Sequence, residues 1–135
     1  MTNIVTVLKC YSDPAKAKVL QSFFKTGKGH YGEGDVFIGI NVPQLRSIAL
    51  QYANLNFSQL QKLLRSKIHE HRLVALLILV QRFQKAEKEG NNKLQREVVH
   101  FYLYNLQGVN NWDLVDLTAP QILGRYLLRH DKAVL

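Results

Sequence analysis

An all-α fold is predicted by three features of the chain. Apolar residues recur at steps of three and four over most of its length, and Asp-Pro, Val-Pro and Asn-rich signals stand ahead of those runs. No stretch sustains the period-2 alternation of a half-buried strand. Only Val36-Phe37-Ile38-Gly39-Ile40 has the composition of one, and a lone strand has no neighbour to take its main-chain hydrogen bonds.

Asp13-Pro14 predicts the first helix start, with Asp as N-cap and Pro at the first helical position. Ala17, Val19, Leu20, Phe23 and Phe24 follow at near-helical spacing and stop before Gly27. Pro43 opens a second helix after Asn41-Val42, with Leu45, Ile48, Ala49 and Tyr52 on one face. Ser58 is the expected cap of a short helix carrying Leu60, Leu63 and Leu64. From about Ile68 to Lys88 runs the strongest helix, apolar on most sides between Leu73 and Val80, so it is expected to be buried between neighbours. Gly90-Asn91-Asn92 ends it. Leu94, Val98, Phe101, Tyr102 and Leu106 mark another helix. Asn111-Trp112-Asp113 reads as a capped start, and Pro120 interrupts before a last helical run through Leu128.

Helices of this length joined by short turns fit a closed bundle or a solenoid of stacked pairs. A short amphipathic helix followed by a long buried one repeats weakly between Pro43 and Leu106. The 135 residues allow one domain, and 47% hydrophobic content against 21% charged residues excludes wholesale disorder. The chain stops at His130-Asp131-Lys132-Ala133-Val134-Leu135, where a further helix has just begun, so the domain over 1–135 is expected to be incomplete at its C-terminus.

Composition narrows the function classes. The longest apolar run, Leu73 to Val80, falls short of the ~18–20 residues of a membrane span. No secretory signal is visible at the N-terminus, and a single cysteine, Cys10, makes neither an internal disulfide nor a Cys-based zinc site. A cytoplasmic setting is expected. Cys10 itself reads as a small buried or half-buried residue. The net charge of +8 suits a polyanion such as nucleic acid, or an anionic membrane surface, and suits a generically basic soluble protein equally well; only the clustering of the basic residues tips the balance slightly to the former. Lys16, Lys18, Lys25 and Lys28 form one cluster and Lys62, Arg65, Lys67 and Arg72 another, whereas Arg82 to Glu97 mixes signs like an ordinary solvated face.

Several chemistries find no support. Gly27-x-Gly29-x-x-Gly32 matches the dinucleotide fingerprint as text, yet a helix precedes it and more glycine follows, where a strand and a helix are needed. A long connection between helices is the simpler reading, although Lys25 and Lys28 with exposed N–H groups could hold a phosphate. The five histidines show no metal-ligand spacing, and all five read as surface or core-edge residues. Asn111-Trp112-Asp113-Leu114-Val115-Asp116 holds the only tryptophan. On a helix Trp112 and Asp116 share a face. They would serve as core filler and dipole partner, or as an aromatic plane and carboxylate for a developing sugar cation.

The run Phe24-Lys25-Thr26-Gly27-Lys28-Gly29-x-Tyr31-Gly32-Glu33-Gly34-Asp35-x-Phe37-x-Gly39-Ile40-x-Val42-Pro43-x-x-Arg46 resembles the DNA alkylation repair family. These are AlkD-like DNA glycosylases built from HEAT-like helical repeats. Glu70-x-Arg72-x-x-Ala75-Leu76-x-Ile78-Leu79 and the Trp112–Asp116 block are similar to later blocks of the family in the same order. The resemblance implies a right-handed α-solenoid whose concave basic face holds double-stranded DNA, as a monomer, without metal or other cofactor. It implies excision of purines alkylated at N3 or N7, with Asp116 as the catalytic carboxylate and Trp112 against the sugar. Arg46 matches a DNA-facing position, Lys25 and Lys28 are candidate phosphate contacts, and Tyr31 is a candidate wall of the lesion site or a loop anchor. A further arginine and a second tryptophan of the family site would follow Leu135. The alternative is a DNA-binding HEAT-like scaffold without catalysis.

Overall fold

The computed structural model describes residues 3–23 and 36–105, together with Ile122, Gly124 and Tyr126. Six helices lie among them: α1 (Ile4–Cys10), α2 (Pro14–Phe23), α3 (Val42–Gln51), α4 (Phe57–Leu64), α5 (His69–Lys88) and α6 (Asn92–Tyr104). The all-helical class holds for the described residues. Trp112, Asp116, Lys25, Lys28 and Tyr31 lie outside them, as do the predicted helix start at Asn111 and the glycine-rich stretch.

The helix starts follow from their caps. The Asp13 carboxylate accepts from the N–H groups of Ala15 (3.0 Å) and Lys16 (3.3 Å), as Asp-Pro predicts. α3 opens one residue earlier than expected, with Pro43 inside its first turn. Asn41 is its N-cap, and the Gln44 side chain returns to the Asn41 N–H in a reciprocal capping box. The cap expected at Ser58 is instead Asn56, whose side chain accepts from Gln59 N at 2.8 Å in a second capping box. An amide two positions upstream lets Phe57 enter the helix, where its ring tilts against Phe101 at 4.6 Å. Gly90, at φ 66°, turns the chain between α5 and α6. α1, which the sequence reading leaves out, is a short helix capped by Asn3 that buries Ile4 and Leu8.

α5 is the centre of the molecule. It packs against α3, α4 and α6, and every residue from His69 to Val80 is buried. Leu45, Ile48, Leu60, Leu64, Val98 and Tyr102 close on it from the three neighbours. Ile122 and Tyr126 join the same core, Tyr126 meeting Phe83 edge-on at 6.4 Å. Among the described residues no helix is long and apolar enough to cross a membrane.

Val36–Ile40 forms no helix, and it is no orphan strand. Val36 forms one isolated parallel bridge with Ile68, through Val36 N to Lys67 O (3.0 Å) and His69 N to Val36 O (2.7 Å). The N–H groups of Ile38, Gly39 and Ile40 find a side chain, and that contact is where the site begins.

Candidate nucleic-acid interface

A carboxylate inside a helix surrounded by apolar residues must be matched by donors. Glu70, in the first turn of α5, is only 1% exposed. Its Oε1 accepts from Ile38 N at 3.1 Å, and its Oε2 accepts from Gly39 N at 2.8 Å and Ile40 N at 3.3 Å. Three successive main-chain donors thus converge on one side chain some thirty positions away. On the other side of the segment, Asp13 N donates to Ile38 O at 2.7 Å. Phe37 stacks on His69 with centroids 4.4 Å apart. The segment is held between the start of α2 and the start of α5.

Gly39 is required at this crossing for two reasons. Its φ of 84° lies in the left-handed region, and a Cβ there would stand 2.1 Å from Asp13 O and 2.8 Å from Ala17 N. No side chain fits between segment and helix.

From Ile40 the chain passes through the Asn41 cap directly into α3, which carries Arg46 on its exposed face. Arg46 is the sequence-predicted contact residue within the described part of the chain, and its exposure leaves the guanidinium free to reach a phosphate. α5 also touches α3 further along. Gln81 Nε2 donates to Arg46 O at 3.4 Å. Arg82 Nη2 donates to Ala53 O and Leu55 O, at 2.6 Å each, just beyond the end of α3, while its guanidinium lies 5.5 Å from the centre of the Phe57 ring. Arg82 therefore departs from the solvated face expected of it: it is a half-buried clamp, and burial lowers its pKa from the ordinary arginine value.

The second basic cluster is divided by the fold. Lys62, Arg65 and Lys67 are exposed around the end of α4, but Arg72 is buried in α5 and offers no surface charge. Lys16 and Lys18 are exposed on α2. The histidines need a similar correction. His100 is exposed, but His69 and His71 are buried, because the first turn of α5 lies beneath the 36–40 segment and the α4–α5 turn. His30 and His130 lie outside the described residues. Ser66 Oγ pairs with His71 Nδ1 at 3.0 Å and also accepts from Ile68 N at 3.1 Å. Burial pushes the His71 pKa below the usual histidine value, against the smaller upward pull of neighbouring Glu70. A cleft of about 560 Å³ lined by Tyr52, Gln59, Lys62 and Ser66 reaches its edge. Cys10, expected to be at least half-buried, is exposed at the end of α1, since Ile4 and Leu8 take that helix's inward positions. Among the described residues no group of three or more His, Cys, Asp or Glu could hold a metal ion.

The model of the DNA alkylation repair enzyme family matches residues 4–135. The chain belongs to the DNA alkylation repair enzyme family. A search of curated proteins and one of solved structures gave no match. The family match runs through α1 to α6 and on across the Trp112 and Asp116 positions. The resemblance found in three separate sequence blocks therefore extends over nearly the whole chain. Glu70 and Gly39 were legible in those blocks as letters. The role of Glu70 could have been inferred from a lone acidic residue opening a helix that is apolar almost all round.

Proposed function

We propose that this DNA alkylation repair enzyme is a glycosylase that removes purines alkylated at N3 or N7 from double-stranded DNA in the cytoplasm, acting as a monomer along the concave face of a right-handed HEAT-like solenoid. Membership of the family over residues 4–135 is the observation that carries this reading. The net charge of +8 and the exposed Arg46 support the choice of a polyanionic substrate.

The chemistry asks little of the protein. A purine alkylated at N3 or N7 carries a positive charge, so it leaves as a neutral base when the C1′–N bond breaks and its electron pair passes to the ring. No general acid is needed at the leaving group. What remains is an oxocarbenium-like sugar, which Asp116 stabilises by charge and Trp112 contacts with its ring face. Water adds to C1′, its surplus proton passes to Asp116 or solvent, and an abasic site is left. The proposed steps use no metal or organic cofactor. Arg46, Lys25 and Lys28 hold phosphates, which positions the duplex without reading its sequence, and Tyr31 borders the lesion.

The test is base release from a methylated duplex, counted as free 7-methylguanine and 3-methyladenine together with new abasic sites. Equal counts of released base and abasic sites are expected. Salt-steep DNA binding with no release would instead establish the non-catalytic scaffold, and binding indifferent to salt would remove DNA as the ligand.

A further inference from the structure

We infer that Glu70 is a positioning residue that sets where Arg46 meets a DNA phosphate; the inference rests on the DNA-binding reading above. α5 grips α3 and the segments that flank it through polar side chains at three places. Glu70 holds its entry through the N–H groups of Ile38, Gly39 and Ile40. Gln81 reaches the carbonyl of Arg46 itself by a longer contact. Arg82 holds its exit at Ala53 and Leu55. Glu70 and Gln81 are eleven positions apart on α5, which places them about three turns apart and within about 20° of one face. That face works as a ruler laid along α3.

Apolar packing alone is a poor ruler. Leu45, Ile48 and Ala49 bury α3 in the core, but hydrophobic contact is non-directional and tolerates sliding. The Glu70 carboxylate does not tolerate it, because its two oxygens match three particular donors. A slip of one residue along α3 would move Arg46 by about 1.5 Å and turn it by about 100° around the helix axis. Such a turn takes a guanidinium away from a phosphate it was meant to meet. The capping box at Asn41 transmits the setting, since it fixes the first turn of α3 directly after Ile40. Arg46 lies only six positions beyond Ile40.

The experiment is a double-mutant cycle on duplex DNA binding, measured across a salt series with wild type, Glu70→Gln, Arg46→Ala and the double variant. Glutamine keeps the shape of glutamate but presents an NH₂ group to at least one main-chain N–H. Arg46→Ala should lower the salt slope by about 0.9, the loss of one phosphate contact. Glu70→Gln should lower it by about as much. The double variant should bind within about 2-fold of Arg46→Ala alone, because the contact is already lost. Asn56→Ala, which weakens only the cap of α4, serves as the destabilised control and should bind like wild type. Should Glu70→Gln fold too poorly to assay, Arg82→Gln releases the exit of α3 and is taken through the same cycle with the same expectation. Losses that multiply independently, or a Glu70→Gln slope equal to wild type, would overturn the inference while leaving DNA binding intact. Wild-type binding that ignores salt would instead bring down the underlying reading and this inference with it.

Discussion

Gly39→Ala tests the crossing that holds the 36–40 segment. The added methyl would stand 2.1 Å from Asp13 O, 2.8 Å from Ala17 N and 3.0 Å from the Asp13 carbonyl carbon, all main-chain atoms that cannot swing aside. A φ of 84° adds about 1–2 kcal/mol for a residue with a Cβ. Relieving the clash means separating the segment from α2. That threatens the 2.7 Å bond from Asp13 N to Ile38 O and the 2.9 Å bond from Ala17 N to Asp13 O, at about 1 kcal/mol each. The Glu70 contact to Gly39 N is disturbed in the same movement. The expected loss is about 3–5 kcal/mol, a large share of the ~5–15 kcal/mol by which a domain is stable. Gly90→Ala isolates the close approach from the backbone strain. Its φ is 66° with nothing within 4 Å of the new methyl, so about 1 kcal/mol is expected. Urea unfolding followed by circular dichroism measures both. If Gly39→Ala costs no more than Gly90→Ala, the tight crossing does not exist and the fixed segment is refuted.

Three further outcomes follow from the same contacts. Arg82→Ala should cost about 2 kcal/mol in urea unfolding, because two carbonyls lose a charged donor while water partly replaces it; no loss would show that the clamp is idle. Asn56→Ala should cost about 1 kcal/mol and Ser58→Ala less than about 0.5, and the reverse order would restore Ser58 as the cap. His71 has a folded-state pKa below its unfolded value of about 6.5, so the unfolded chain takes up the proton first as pH falls. Its contribution is therefore full above pH 6.5, declines as pH drops through that value, and levels off below the folded pKa. The stability gap between wild type and His71→Gln, followed from pH 8 to pH 5, should shrink toward acid; a gap that widens would contradict the sign.

The long buried helix was the most legible part of the fold, because a stripe that widens to nearly all sides from Leu73 to Val80 has only one placement, at the centre. Asp13-Pro14 was legible for the same reason that it is strong, since both residues act on the helix start locally. The Asn56 cap was missed because Ser58 is also a good capping residue, and the choice depends on Phe57 packing against Phe101, a contact distant in sequence. α1 was too short for periodicity to register. The support of the 36–40 segment is not legible as strand pairing because, beyond one bridge to Ile68, its N–H groups at 38–40 go to a side chain at the start of α5. Polar character alone puts His69, His71, Arg72 and Arg82 at the periphery, whereas tertiary contacts bury them wholly or in part. Of the candidate site, Arg46 is exposed as its reading requires. Trp112, Asp116, Lys25, Lys28 and Tyr31 lie outside the described residues, and their roles are proposals.

The proposed glycosylase chemistry places the cleavage of the glycosidic bond on Asp116. Wild type and Asp116→Asn should be compared on one methylated duplex, with base release and DNA affinity measured in the same samples. The variant is expected to bind as wild type does but to free almost no alkylpurine. Undiminished release by Asp116→Asn would contradict it.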